Sequence, residues 1–95
     1  MLIEVFHGDD QVAIVITPDD NVESALDYAF RWTQNLEGSW SRPENPDHND
    51  RVTVVAPLPV RNGKTYGLRS SMVGDLFITA AGERYRCASF GWDKL

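Results

Sequence analysis

Tyr66-Gly67-Leu68-Arg69-Ser70-Ser71-Met72-Val73-Gly74-Asp75-Leu76-Phe77 places two glycines, an arginine, two serines and a Gly-Asp pair between apolar segments. No other stretch of the chain holds so many residues whose identity answers to special geometry. Val73-Gly74-Asp75 reads as a turn feeding a strand from Leu76 to Thr79. Ala80-Ala81-Gly82-Glu83 then leads into a last strand, Arg84 to Phe90, which completes a hairpin closed by Gly91 and Trp92. Within the stretch, Arg69 has two readings. It bonds loop carbonyls or pairs with Asp75 to hold the loop in shape, or it joins Arg61 and Lys64 in a small basic patch.

Upstream, Asn62-Gly63 is a tight-turn signal, and Pro57-Leu58-Pro59 cannot continue a ladder in mid-sheet. Arg51 to Ala56 alternates as a half-buried strand with Val52 and Val54 on one face. Ser39 to Asp50 is rich in Pro, Asn and Asp and reads as a loop. At the N-terminus, Leu2–Phe6 and Val12–Thr17 form β-type runs joined by His7-Gly8-Asp9-Asp10-Gln11, a hairpin. Val12-Ala13-Ile14-Val15-Ile16 is apolar on both faces, which predicts a central strand with a helix on one side and something else on the other.

Asp20, with Glu23 three residues on, predicts the N-cap of a helix over about residues 21–35, stopped by Gly38. Val22, Ala25, Leu26, Ala29, Phe30, Thr33 and Leu36 recur at helical spacing as the buried stripe, with Asp27, Arg31 and Gln34 on the solvated side. The expected fold is α+β: a single helix on a mostly antiparallel sheet of about five strands, in the order ββαβββ.

The 95 residues make one domain, 1–95, with 42% apolar and 24% charged residues. Cys87 is the lone cysteine, so no intrachain disulfide forms and a reducing cytoplasm is expected. The N-terminus lacks the pattern of a signal peptide, and no apolar run approaches the roughly 20 residues of a membrane span. Net charge is −5, split between −9 in residues 1–50 and +4 in residues 51–95. Either the halves neutralise each other on folding, or an acidic helix face stands apart from a basic loop.

Motifs that carry chemistry are incomplete. Gly63-Lys64-Thr65 ends like a phosphate-binding loop, but Leu58 stands where that loop needs glycine. Asp47-His48-Asn49-Asp50 lacks the glycine and distal glutamate of a calcium loop, and His7 and His48 have no second cysteine to make a zinc site. Neither His7 nor His48 has a local signal that would align it with Ser70 or Ser71 and an acid. Cys87 lies in an alternating segment and reads as a small buried hydrophobe. No catalytic residue, metal site or cofactor is therefore expected.

Gly67 to Asp75, followed by Glu83-Arg84-Tyr85-Arg86-Cys87-Ala88-Ser89-Phe90-Gly91, resembles the small proteins encoded by actinobacteriophages and related mobile elements. These carry an Arg-Ser-x-Ser-Val-Gly-Asp segment before a C-terminal hairpin. Trp32 to Ser41 and Val54 to Pro59 share in the likeness. The resemblance implies a small accessory protein made in the cytoplasm of an infected bacterium, and it brings no activity or catalytic residues with it.

The function expected is therefore non-enzymatic binding of another protein, one of the host. Trp40, Tyr28 and Trp32 are candidate exposed anchors, with Arg61, Lys64 and Arg69 as a flanking patch. The bland reading of the same aromatics is that they pin a loop onto the sheet. Two alternatives remain. One is a nucleic-acid-binding module using Arg61, Lys64, Arg69, Arg84 and Arg86 on one face. The other is an acidic nucleic-acid mimic using Glu23, Asp27, Glu37 and the loop over residues 44–50.

Overall fold

In the computed structural model, which describes residues 1–36 and 38–95, the β-rich ends of the chain meet in one sheet. β1 (Leu2–His7) and β2 (Asp10–Ile16) form the N-terminal hairpin around Gly8, whose φ of +62° is the left-handed turn conformation glycine tolerates. After α1 (Val22–Arg31) come β3 (Val52–Val54), the short hairpin β4 (Val60–Arg61) and β5 (Lys64–Thr65), then β6 (Leu76–Thr79), β7 (Arg84–Cys87) and β8 (Trp92–Lys94). The six-stranded sheet runs β3-β2-β1-β6-β7-β8 with every pair antiparallel, and β4-β5 forms a separate two-stranded ribbon.

The chain is thus α+β with one helix on an antiparallel sheet, as the sequence leads one to expect, but the strand inventory is larger. β8 adds a sixth strand where Gly91, at φ +72°, reverses the chain; the strand expected through Phe90 stops at Cys87. Asn62-Gly63 does make a turn, between two strands of two residues each. The Arg51–Ala56 strand contracts to Val52–Val54.

The helix starts one residue later and ends four residues earlier than its periodicity suggests. Asn21, not Asp20, is the N-cap, its Oδ1 accepting from Ser24 N at 3.1 Å. At the other end, Thr33 Oγ1 donates to Ala29 O (2.9 Å) and Gln34 Nε2 to Phe30 O (3.0 Å). Side chains thereby satisfy carbonyls that another helical turn would have used. Leu36 falls beyond this end and is 62% exposed instead of completing the buried stripe.

Because paired residues on neighbouring strands share a face, the register divides the sheet cleanly. Val52, Ala13, Val15, Ile3, Val5, Phe77 and Cys87 point to the helix, where Ala25, Leu26 and Ala29 meet them as a buried core. A bulge at Val5/Phe6 lets Val12 turn inward as well, so Val12 and Ala13 are both buried. Phe77 is the largest fully buried side chain, with Trp92 edge-on at 4.7 Å and Phe30 at 6.5 Å between ring centroids.

The opposite face carries Leu2, Glu4, Phe6, Ile14, Ile16, Leu76, Ile78, Arg84 and Arg86. All are half-buried or exposed, and none belongs to the core. The second cover expected over the doubly apolar β2 is therefore not supplied by the described residues. Among those residues no helix is long and apolar enough to cross a membrane.

These positions set a stability contrast. Phe77→Ala is expected to cost about 3–5 kcal/mol by urea unfolding. Leu36→Ala is expected to cost no more than about 0.5 kcal/mol; a loss comparable to that of Phe77 would place Leu36 in a core and contradict the early helix end.

Candidate protein-binding surface

The 66–75 stretch folds over the end of α1 through a continuous set of hydrogen bonds. Ser71 N donates to Thr33 O (2.9 Å), Gln34 Nε2 to Ser71 O (3.0 Å) and Asn35 N to Ser70 Oγ (2.8 Å). Leu68 N donates to Ser41 Oγ at 2.7 Å, and Gly67 lies so close to Ser39 and Ser41 that a β-carbon there would collide with them. Asp75 anchors the far end. Its two oxygens accept both terminal nitrogens of Arg69 (2.8 and 2.9 Å) and Oδ2 also takes Met72 N (2.8 Å). The pairing reading of Arg69 is thus realised, in the bidentate form that suits a guanidinium.

Burial alone would raise the Asp75 carboxyl. The hydrogen bonds from Arg69 and Met72, with the charges of His7 and Arg69, outweigh it and hold the carboxyl below its ordinary range. The same pairing pushes Arg69 up.

His7, on β1, joins this cluster. Its Nε2 lies 2.9 Å from Ser71 Oγ and 3.8 Å from Asp75 Oδ2. Ser71 Oγ also lies 2.7 Å from Thr33 Oγ1. Thr33 spends its own proton on Ala29 O, so a consistent assignment runs one way: His7 Nε2–H to Ser71, Ser71 O–H to Thr33, Thr33 O–H to Ala29. The histidine, serine and acid that lacked any local signal do meet. Their order differs from a hydrolytic relay, in which serine and acid occupy opposite ring nitrogens. Here both face Nε2, and the Ser71 proton points away from the imidazole. Burial, then the charge of Arg69, lowers the His7 pKa against the opposing pull of Asp75. Cys87 is buried, and burial, followed by the charges of Asp75 and Asp27, pushes its thiol up. A high thiol pKa suits the packing role expected for it. Among the described residues no cluster of His, Cys, Asp and Glu could hold a metal ion.

The candidate aromatic anchors lie near one another around the end of α1, but none is fully exposed. Trp40 is 6% exposed: its ring stands edge-on to His7 and its Nε1 donates to Arg69 O at 2.8 Å. It pins the loop, the other of its two readings, and its burial corrects the reading as an exposed anchor. Tyr28 and Trp32 are half-buried on the helix flank, 6.2 Å apart, with Asn49 Nδ2 on the Tyr28 hydroxyl and Arg31 stacked over Trp32. Trp32, Trp40 and His48 line a cleft of about 170 Å³ against the 38–49 loop.

Arg61 and Lys64 face one another as a cross-strand pair on the exposed β4-β5 ribbon. Arg69 is tied to Asp75, while Arg84 and Arg86 project from the uncovered sheet face. The five cations of the nucleic-acid reading thus divide among separate elements. Of the acidic set, Asp27 accepts from Trp92 Nε1 (2.9 Å), Glu44 pairs with Arg42, and Glu37 lies outside the described residues.

An aromatic that the sequence reading did not single out is far more accessible. Phe90 is 96% exposed at the tip of the β7-β8 turn, where Ala88 N donates to Gly91 O at 3.1 Å. Beside it runs a groove of about 460 Å³ between α1 and the β7-β8 hairpin, lined by Val22, Leu26, Tyr85 and Trp92 with Glu23 at its rim. Trp92 forms one wall because its indole bonds Asp27 and packs edge-on to Phe30 at 6.2 Å. A Phe-Gly pair in a turn was the available signal. Comparison of the chain with protein families, with curated proteins and with solved structures finds no match.

The cluster around His7 makes folding pH-dependent with a definite sign. His7 is lowered from 6.5 and Asp75 from 3.8 in the folded protein, so each favours the native state above its unfolded pKa and loses that contribution as pH falls below it. The urea midpoint should decline from about pH 7 to about pH 5 as His7 is forced to charge, then again below about pH 4. His7→Gln, whose amide can still donate to Ser71, should flatten the first decline and keep the second. An unchanged first decline would remove His7 from the explanation.

Proposed function

We propose that this protein is a non-enzymatic binding module that works in the bacterial cytoplasm and engages another protein through the groove beside Phe90. The observation that carries the reading is the 96% exposure of Phe90 at the lip of a groove walled by Val22, Tyr85 and Trp92. A turn of this kind needs glycine, which Gly91 supplies, but nothing in its backbone needs an aromatic next to it. Large exposed aromatics next to half-buried ones are the usual anchors of protein interfaces, where burial of the ring supplies much of the affinity.

The rim suggests the partner's chemistry. Glu23 lines the groove, and Asp27, exposed on the same helix, bonds the Trp92 indole that forms one wall. A protein segment with an apolar side chain flanked by lysine or arginine fits both the groove and its border. The resemblance to actinobacteriophage accessory proteins supports a host protein as that partner. The net charge of −5 favours such a partner over nucleic acid.

A photoreactive benzophenone side chain at position 90, with position 81 in the β6-β7 turn as control, tests this reading in bacterial cells. Discrete protein adducts should form from position 90 and not from position 81. Equal labelling at both positions, or adducts to nucleic acid instead of protein, would count against it. Phe90→Ala should abolish capture by a second photoprobe at Glu23 while shifting stability by no more than about 0.5 kcal/mol.

A further inference from the structure

The sheet face turned away from the helix presents a different surface, and its residues fall into ordered rows. Register sets Thr53, Ile14, Glu4, Ile78 and Arg84 side by side across five strands. Leu95 extends that row, since its N–H donates to Arg84 O at 2.9 Å as the ladder continues past β8. The next row holds Gln11, Phe6, Leu76, Arg86 and Asp93. Ile16 and Leu95 on this face are 45% and 55% exposed. On β6, Ile78 lies between Glu4 and Arg84 in the first row, and Leu76 lies between Phe6 and Arg86 in the second.

From this layout we propose that the face is an isologous dimer interface, occupied by a second copy of this chain packed sheet on sheet. The two-fold axis lies between the sheets and runs along β6. Rotation about that axis sets β6 over the partner copy's β6 and β1 over its β7, with β2 over its β8. Ile78 then meets its own equivalent, and so does Leu76. Glu4 faces the second copy's Arg84, Phe6 its Arg86, Ile14 its Leu95 and Gln11 its Asp93, and each contact recurs by symmetry. These oppositions are complementary: apolar on apolar, acid on base and cation over an aromatic ring, while the Gln11 amide, which donates to Glu4 of its own chain at 3.2 Å, lies toward the edge.

The alternative two-fold in the same plane, across the strands, stacks β7 on its own equivalent and brings Arg84 and Arg86 of the two copies together. The charge order along a row therefore selects one axis. Aligned sheets pack about 10 Å apart at about 30°, so opposition is closest at the centre, where the isoleucine and leucine pairs sit. The helices lie on the outer faces of such an assembly, leaving the groove beside Phe90 open in both copies. This inference stands independently of the partner proposed there.

Charge reversal tests it. Sedimentation equilibrium of the full chain, up to about 1 mM, should give twice the 10.7 kDa chain mass. Glu4→Arg alone and Arg84→Glu alone each set like charges against one another twice, and each should weaken association at least about a hundredfold. The double variant restores opposite charges and should recover the dimer, with circular dichroism confirming that all three variants fold. A wild type that stays at the mass of one chain at every concentration, or associates into species without a defined mass, overturns the proposal. So does a folded double variant that remains monomeric.

Discussion

The Asp75 carboxylate is the group on which the conformation of the 66–75 loop depends. One side chain takes two guanidinium bonds from Arg69 and a backbone bond from Met72, while its own main chain pairs with Cys87 on β7. Tyr66, Met72 and Val73 of this loop are exposed, so little apolar burial holds it, and buried polar groups are costly unless paired. Pairing them fully converts that cost into specificity of shape. The same cluster reaches β1 through His7 and the end of α1 through Ser71 and Thr33, so three segments distant in sequence are held in one register.

The sheet then divides the molecule into two physical environments. On the helix side, small residues of α1 let it lie close to Ile3, Val5 and Phe77, and the aromatic group of Phe30, Phe77 and Trp92 fills the space toward β8. On the other side, alternation places Ile78 between Glu4 and Arg84, and Leu76 between Phe6 and Arg86. A sheet face of that composition is more apolar at its centre than a surface in contact with water alone needs to be. Phe90 carries the same excess at the rim of the helix side.

What could be read from the sequence was what is local. The Val73-Gly74-Asp75 turn, the Leu76–Thr79 strand and the Asn62-Gly63 turn depend on neighbours a few residues away, and each appears where turn chemistry put it. The Arg69–Asp75 pair spans six residues and was within reach of the same reasoning. The helix end was not, because Thr33 answers to Ser71, 38 residues downstream. For Trp40 the sequence left open an exposed anchor or a pin for its loop, because what encloses the ring, His7 and the carbonyl of Arg69, lies up to 33 residues away in the chain. The run Val12–Ile16 looked covered on both faces because a bulge cannot be seen in hydrophobicity: Val12 turns inward at the irregularity, and Ile14 and Ile16 go to the uncovered side. The meeting of His7 with Ser71 spans 64 residues and left no local mark.

Native-state hydrogen exchange of Ser71 and Met72 amides tests the role of Asp75 most directly. In the wild type both should exchange as slowly as Val5 in the central strand, through global unfolding. In Asp75→Asn, which keeps the shape and removes the charge, they should exchange much faster through local opening while Val5 remains bound to the global event. If both amides already exchange freely in the wild type, or if Asp75→Asn leaves their protection unchanged, the carboxylate does not hold this loop and the account given for it is wrong.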